Sequence, residues 1–172
     1  TPESYGPLLP ISFYGASKLA CGTLATAFAH NYEMKVWIYR FANIVGSHTT
    51  HGAIHDFIKK LRKNPQSLEI LGDGKQSKSY LHVSDCLDGM FFGLENSKNE
   101  VNLFNLASHG QCNVDQIASH VIAAVAPQAE KRFTGGSRGW KGDVSQVQLD
   151  GSRLQKMGFR PRYNSEEAVA MA

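Results

Sequence analysis

Apolar residues recur every three or four positions in four stretches of the chain, a spacing that predicts amphipathic helices. The longest helix is predicted over residues 13–32, and Ser12 is placed to cap its first turn. Leu24 and Phe28 share one face of that helix. Further helices are predicted over residues 52–63, 84–95 and 114–125, with two short helical pieces in the tail.

Short runs rich in β-branched and aromatic residues lie between the helices and predict strands, at residues 34–39, 68–71, 79–83 and 103–106. A turn is predicted at Gly72-Asp73-Gly74. The mixture of helix and strand indicates an α/β protein. Because no strands precede the first helix, the chain is either part of a larger doubly wound sheet or a small α+β domain.

Composition places the chain among ordinary globular proteins. Its 172 residues are 42% hydrophobic and 19% charged, which allows one core and a small second one. No run of about 18 apolar residues and no signal-peptide pattern occurs, so we expect a soluble protein without a membrane partner. Three dispersed cysteines, Cys21, Cys86 and Cys112, favour reduced thiols and a cytoplasmic location.

The charge is mildly basic, with a formal net value of +3. Lysines and arginines are scattered apart from short groups such as residues 59–63, which read as the solvated face of a helix. This balance suits a small anionic ligand such as a diphosphate, and we expect no nucleic-acid partner.

Tyr14 and Lys18 stand four residues apart on the longest predicted helix, so both side chains project from one face. A free phenol has a pKa of about 10, and lowering it by about 3 units requires roughly 4 kcal/mol of preference for the phenolate. A neighbouring ammonium helps to supply that preference. On spacing alone, an ordinary surface pair is the simpler interpretation.

The residues around this pair resemble a known family in order and in distance. Residues 10–20, Pro-Ile-Ser-Phe-Tyr-Gly-Ala-Ser-Lys-Leu-Ala, resemble the active-site helix of the extended short-chain dehydrogenases, which include nucleotide-sugar epimerases and dehydratases. Segments similar to later motifs of that family follow in its order, at residues 40–46, 71–74, 79–85, 105–107 and 142–144. Within the family, residues 50–58 and 138–143 look most similar to UDP-glucose 4-epimerase-like sequences.

The resemblance implies NAD as the cofactor and assigns four residues to its site. Tyr14 would take a proton from a sugar hydroxyl and later return it. Lys18 would hold the nicotinamide ribose and keep the phenol acidic. Phe41 and Ala42 would lie beside the nicotinamide.

The resemblance also assigns six residues to a nucleotide-sugar substrate, expected to be a UDP-sugar: Asn43, Ala53, Leu71, Lys78, Arg138 and Asp143. Asn43 would bind the diphosphate and Leu71 would lie against the base. Lys78 stands where the wider family has an arginine, so phosphate would meet a point charge instead of a bidentate fork. Asp143 would bind the ribose. Trp140 replaces the arginine usually found three residues before it, which leaves Arg138 or Lys141 for that role.

The family fold implies the C-terminal part of a Rossmann-like doubly wound sheet plus a small α/β substrate-binding domain. Residues 1–50 would be a remnant of the NAD-binding Rossmann domain with its active-site helix. Residues 51–172 would mainly form the nucleotide-sugar-binding domain, with a strand near 103–106 returning to the Rossmann sheet. The longest helix is expected to form a homodimer contact.

Neither the family's Gly-rich cofactor turn nor its upstream catalytic Ser or Thr is found in the sequence. We therefore expect the C-terminal half of an enzyme, inactive by itself. The predicted reaction is epimerisation at C4 of a nucleotide sugar of the UDP-glucose/UDP-galactose type. The alternatives are a dehydratase, decarboxylase or reductase of the same family, or a non-catalytic nucleotide-binding or dimerisation module.

Three other parts of the sequence are candidates for a site. His48, His51 and His55 have helical spacing for a metal but lack a His-Glu-x-x-His pattern, and we assign no metal. His82 is interpreted as a packed histidine. The Gly-rich stretch 135–139 could bind phosphate through backbone N–H groups or serve as a flexible loop, and its arginine favours ligand contact.

Overall fold

A computed structural model describes residues 1–136 and 146–172. Its helices are α1 (Phe13–Tyr32), α2 (Ala53–Lys63), α3 (Val83–Asn96), α4 (Val114–Val125), α5 (Ser152–Lys156) and α6 (Ser165–Met171). The four long helices and the two short tail helices predicted from the sequence are confirmed, with bounds that differ by a residue or so. Within the described ranges, no helix has both the length and the apolar character needed to cross a membrane.

Local signals in the sequence explain where the long helices begin and end. Ser12 Oγ accepts a hydrogen bond from Gly15 N at 3.0 Å and so caps α1, which ends where Glu33 adopts a left-handed conformation. Asn113 and Gln116 form a reciprocal capping box at the start of α4. These caps satisfy the first backbone donors of each helix, which otherwise lack partners.

The strands are short and pair mainly in parallel. They are β1 (Val36–Phe41), β2 (Asn43–Val45), β3 (Ser67–Ile70), β4 (Ser77–Lys78), β5 (Tyr80–His82), β6 (Val101–Leu106), β7 (Cys112–Asn113), β8 (Glu130–Phe133) and β9 (Gln146–Val147). The parallel pairs are β1 with β6, β2 with β5, β3 with β8 and β4 with β9, whereas β4 pairs with β7 antiparallel. The strands on either side of the Gly72–Gly74 turn therefore pair elsewhere, not with each other.

Two apolar clusters hold these elements together. The larger one joins α2, α4 and α6 to β3, and its fully covered members include Leu61, Leu68, Ile70, Ile117 and Ala168. The smaller one packs α3 and α5 against β6 and is centred on Leu81, Phe104, Leu106 and Leu154. Since β2 and β5 contribute to both clusters, the segment 43–45 lies where the two meet.

Helix α1 stands apart from both clusters. Only Ala29 is buried, and the helix contacts the rest of the described chain mainly through β1, with an ion pair between His30 and Glu100 at 2.8 Å. Phe13 is 97% exposed, and Leu24 and Phe28 are more than half exposed. The apolar face predicted for this helix therefore points away from the described chain, which is unusual for a single folded unit.

Two serines, Ser165 and Ser108, tie α6 to β5. The Tyr80 N–H donates to Ser165 Oγ at 3.0 Å, Ser165 Oγ donates to Gly110 O at 2.9 Å, and the Ser108 hydroxyl lies 3.0 Å from that of Ser165. Ser165 is 1% exposed. This network satisfies buried polar groups at the point where the C-terminal helix meets the sheet.

Replacing Ser165 with alanine is expected to lower the free energy of unfolding by about 1–3 kcal/mol, because the Tyr80 N–H loses this acceptor in a buried place. Urea denaturation followed by circular dichroism measures the loss. Ser17→Ala, at an exposed position on α1, serves as the control and is expected to stay within about 0.5 kcal/mol of the parent. Equal stability of the two variants would contradict this role for Ser165.

Candidate active site

The carboxyl ends of β1 and β2 open into a cleft of about 1030 Å³. The loop 46–52 and one face of α2 form one wall of the cleft. Residues from β4 and β5 form the opposite wall. Ligand sites of parallel α/β proteins lie outside the carboxyl ends of their strands, so the cleft is where a site is expected.

Most of the residues predicted as site residues meet in this cleft. Those that line it are Tyr14, Phe41, Ala42, Asn43, Ala53, Leu71 and Lys78. Lys18 does not line it but stands beside Tyr14. Arg138 and Asp143 lie outside the described residues. Residues up to 64 positions apart in sequence are thus gathered at one cavity.

The Tyr14/Lys18 pair sits at the rim of the cleft. The Lys18 Nζ atom lies 5.5 Å from the centroid of the Tyr14 ring, within the range of a cation–π contact. Tyr14 is 73% exposed, so its phenol is open to an incoming group. The pair is fixed by the helix itself, because positions i and i+4 stack one turn apart.

The segment at the end of β1 is held by backbone hydrogen bonds. Ala42 N donates to Leu106 O at 2.9 Å, while Asn43 donates to Ser79 O from its backbone N at 3.1 Å and from its Nδ2 at 3.2 Å. Phe41 is nearly half exposed. The segment therefore presents an aromatic ring and a fixed amide to the cleft from a rigid base.

The α2 side of the cleft combines apolar surface with an ion pair. Ala53 and the buried Phe57 provide the apolar part, and Leu71 also lines the cleft with its side chain partly exposed. Further along, the Lys60 ammonium lies 3.0 Å from the Asp56 carboxylate. A flat, partly polar group such as a nucleobase suits this combination.

Gln76 is a lining residue that the sequence analysis did not single out. It is 5% exposed and lies just before β4. In sequence it looks like an ordinary polar residue after a glycine turn. No local signal indicates burial, which only the folded chain reveals.

His82 and the two buried cysteines have structural surroundings. His82 caps α3, with its Nδ1 2.7 Å from Ser84 Oγ, and its ring meets Tyr163 edge-on. Burial raises the pKa of the Cys86 thiol, and burial together with the Glu166 charge raises that of Cys112 to about 11. Among the described residues, no group of three or more His, Cys, Asp or Glu side chains is placed to hold a metal ion.

Parallel strands whose carboxyl ends open into a cleft, with a phenol and an ammonium at its rim, define a Rossmann-type α/β protein with a small-molecule site. The chain belongs to the NAD dependent epimerase/dehydratase family, whose model matches residues 1–107. The family is enzymatic and uses NAD, and the sequence-based assignment to it is confirmed.

Known proteins similar to the chain agree with this family. The putative UDP-glucose 4-epimerase of Methanocaldococcus jannaschii is 26% identical over 95% of this chain and 52% of its own length. UDP-glucuronic acid decarboxylase 1 of Arabidopsis thaliana is 30% identical over 76% of this chain and 31% of its own length. A crystal structure of UDP-galactose 4-epimerase superposes with a TM-score of 0.86 and 34% identity, covering 99% of this chain and 55% of that one.

These comparisons confirm the expected α/β fold of Rossmann type. They also show that the chain spans about half the length of the epimerases it matches, and less of the decarboxylase. Because epimerases and a decarboxylase are both among the similar proteins, the shared property is nucleotide-sugar chemistry within the NAD dependent epimerase/dehydratase family.

Proposed function

We propose that this chain supplies the catalytic tyrosine and the nucleotide-sugar cleft of a C4 epimerase acting on UDP-glucose and UDP-galactose by transient oxidation. The observation that carries the proposal is the meeting of seven predicted residues in one cleft, with Tyr14 at its rim. The similarity to 4-epimerases supports the substrate class and the reaction.

The residues at the end of β1 fit the nicotinamide end of NAD. Phe41 offers an exposed aromatic surface beside Ala42, and Lys18 offers an ammonium for the ribose hydroxyls. When bound, NAD accepts and returns the hydride of the sugar C4. No Gly-rich strand–turn–helix occurs in the sequence, so we assign the phosphates of NAD to a separate cofactor-binding unit that works with this chain.

Tyr14 takes the proton from the oxygen of the C4 hydroxyl and returns it to the same oxygen after the sugar has turned its opposite face towards the cofactor. The Lys18 ammonium favours the phenolate because an opposite charge nearby stabilises the ionised form. This attraction strengthens when water is excluded, which a cofactor-binding unit covering the rim would achieve. The exposed Tyr14 of this chain is thus proposed to become enclosed in the complete site.

The remaining residues hold the substrate. Asn43 and Lys78 are proposed to contact the diphosphate, an amide as donor and an ammonium as a point charge. Ala53 and Leu71 provide the wall for the base. For Arg138 and Asp143, contact with the nucleotide ribose or phosphate stays a prediction. The division into a Rossmann remnant over residues 1–50 and a substrate domain over 51–172 also stays a prediction.

A chimera tests the proposal. The part of the M. jannaschii relative that this chain does not match is fused in front of residue 1, and UDP-galactose is supplied with NAD. Conversion to UDP-glucose is expected from the chimera and not from the isolated chain. A folded chimera that binds UDP-galactose but leaves it unchanged would contradict the epimerase assignment.

Decarboxylation of a UDP-uronic acid is the second candidate, favoured by the 30% identity to a UDP-glucuronic acid decarboxylase. Supplying the same chimera with UDP-glucuronic acid distinguishes the two reactions, since release of carbon dioxide accompanies only the second. A dehydratase would instead release water from the sugar, and a reductase would leave the sugar reduced. A non-catalytic binding module would bind UDP-sugars and convert none of them.

We also propose that α1 pairs with a second copy of the chain, because its exposed apolar residues have no cover within the described ranges. Phe28→Glu is expected to shift a dimer towards monomer in analytical ultracentrifugation, since it places a charge in an apolar contact. Thr23→Glu, at an exposed polar position on a different face of α1, is the matched control. A parent chain that sediments as a monomer at high concentration would contradict the pairing.

A further inference from the structure

Gln76 shares a row with Lys78 on the wall of the cleft. Successive side chains of an extended segment point to opposite faces, and Ser77 between them turns away to place its Oγ 3.2 Å from Gln111 Oε1. Gln76 and Lys78 therefore both face the cleft, where each contributes to the lining. Lys78, which is proposed to bind phosphate, and the buried amide of Gln76 are two residues apart, a separation of roughly 7 Å along an extended chain.

The Gln76 carboxamide lacks hydrogen-bond partners in the folded chain. Both its Nε2 and its Oε1 are buried without a partner among the described residues, although its backbone O accepts from Val114 N at 3.1 Å. Asn102 and Asn105 each leave only the side-chain oxygen unpartnered, because their Nδ2 atoms donate to backbone carbonyls. A buried amide unpaired at both atoms is rare in native proteins and calls for an explanation.

We propose that Gln76 recognises the hydrogen-bonding edge of the nucleobase of the substrate. Phosphate oxygens only accept, so they would satisfy Nε2 and leave Oε1 unpaired. The imide of uracil presents an N–H donor next to a carbonyl acceptor and can satisfy both atoms at once. Gln76 is then a specificity-determining residue, and this role rests on the proposed nucleotide-sugar function of the cleft.

The surroundings of Gln76 agree with a flat ring. Leu71 and Val114 line the same cleft and offer apolar surface, while Lys78 lies further along the row. Because the amide atoms are covered in the described structure, the side chain has to rotate about its χ angles to meet the base.

Calorimetric titration of the 172-residue chain with UDP and with 3-methyl-UDP, whose imide donor is blocked, tests this role. The parent chain is expected to bind UDP about tenfold more tightly than the methylated analogue, as one buried hydrogen-bonded pair allows. Gln76→Leu is expected to bind UDP about tenfold more weakly than the parent and to bind both compounds alike. Gln111→Leu, on the other side of β4, keeps the preference of the parent and serves as the control.

Thermal unfolding of the ligand-free proteins gives a second readout. Because leucine removes the unpaired buried amide, the Tm of Gln76→Leu is expected to rise by about 2–4 °C. Gln76→Met, a longer and more adaptable apolar side chain, is expected to behave in the same way. A lower Tm for both variants would overturn the proposal, since it would show that the amide serves the fold.

The binding outcomes separate this inference from the function it rests on. If the parent chain binds UDP but Gln76→Leu retains the tenfold preference over 3-methyl-UDP, the recognition of the base by Gln76 is refuted. Recognition of the base is also refuted if the parent chain prefers UDP over 2′-deoxy-UDP and Gln76→Leu loses that preference. The ribose hydroxyl would then be the hydrogen-bond partner of Gln76. If the folded parent binds no UDP at all, the nucleotide-sugar function itself fails.

Discussion

Replacing Tyr14 with phenylalanine is expected to lower the turnover number of the chimeric epimerase by about 10²–10⁴-fold, because the general acid–base step loses its proton carrier. The Michaelis constant for UDP-galactose is expected to change little, since the phenol hydroxyl contributes to proton transfer more than to holding the substrate. Initial-rate measurements over a range of UDP-galactose concentrations separate the two parameters.

The matched control is Tyr32→Phe at the other end of α1. Tyr32 is 68% exposed and lies outside the residues that line the cleft, so its replacement is expected to leave both constants unchanged. Full activity of Tyr14→Phe would remove Tyr14 from the mechanism. Equal losses in the two variants would point to damage to α1 and not to chemistry.

Asp85→Asn is expected to lower the free energy of unfolding by about 2–4 kcal/mol. The Asp85 side chain is 2% exposed and accepts three hydrogen bonds from the segment before α6: from Arg162 N at 2.9 Å, Arg162 Nε at 2.8 Å and Tyr163 N at 3.1 Å. The bond to Asp85 raises the pKa of the Arg162 guanidinium. An amide in this place removes the charge, and in either orientation its NH₂ group faces a donor, the backbone N–H groups or Arg162 Nε–H, which leaves buried groups unpaired.

Asp88→Asn provides a matched control on the same helix. Asp88 also contacts Arg162, with Nη2 to Oδ2 at 2.7 Å, but its side chain is 60% exposed. Exposed ion pairs contribute little, so the expected loss is below about 1 kcal/mol. Urea denaturation midpoints of the two variants measure the difference. Equal losses of unfolding free energy in the two variants would contradict the claim that burial makes the Asp85 carboxylate the more stabilising of the two.

The helices were predicted well because their signals are local. The Ser12 cap and the apolar periodicity of α2 both lie within the segments concerned, and both appear in the structure at the predicted place. The positions of Tyr14 and Lys18 on one face of α1 follow from the same local geometry.

The strand pairing could not be read from the sequence in the same way. β8 has the sequence Glu-Lys-Arg-Phe and only one half-buried position, so it lacks the apolar alternation that identifies a strand. It forms because its backbone pairs in parallel with β3, more than sixty residues earlier. The strand predicted at residues 34–39 did not include the segment 43–45, which forms β2 and pairs with β5.

Burial was the other property that the sequence did not reveal. Leu24 and Phe28 share an apolar face of α1, and periodicity alone does not tell whether such a face packs within the chain or against a partner; both side chains are more than half exposed. Gln76 shows the reverse, a polar residue covered without hydrogen-bond partners among the described residues. Asp85 belongs to a family-like motif, but its partners Arg162 and Tyr163 are supplied from 77 and 78 residues away.

The most direct test of the proposed site is a titration of the isolated 172-residue chain with UDP-glucose, followed by two-dimensional NMR. We expect saturable one-to-one binding, with shifts concentrated at Asn43, Leu71, Gln76 and Lys78 and absent from the far end of α1. A folded chain whose spectrum does not change with UDP-glucose, or changes only away from the cleft, would contradict the assignment of this cleft as the nucleotide-sugar site.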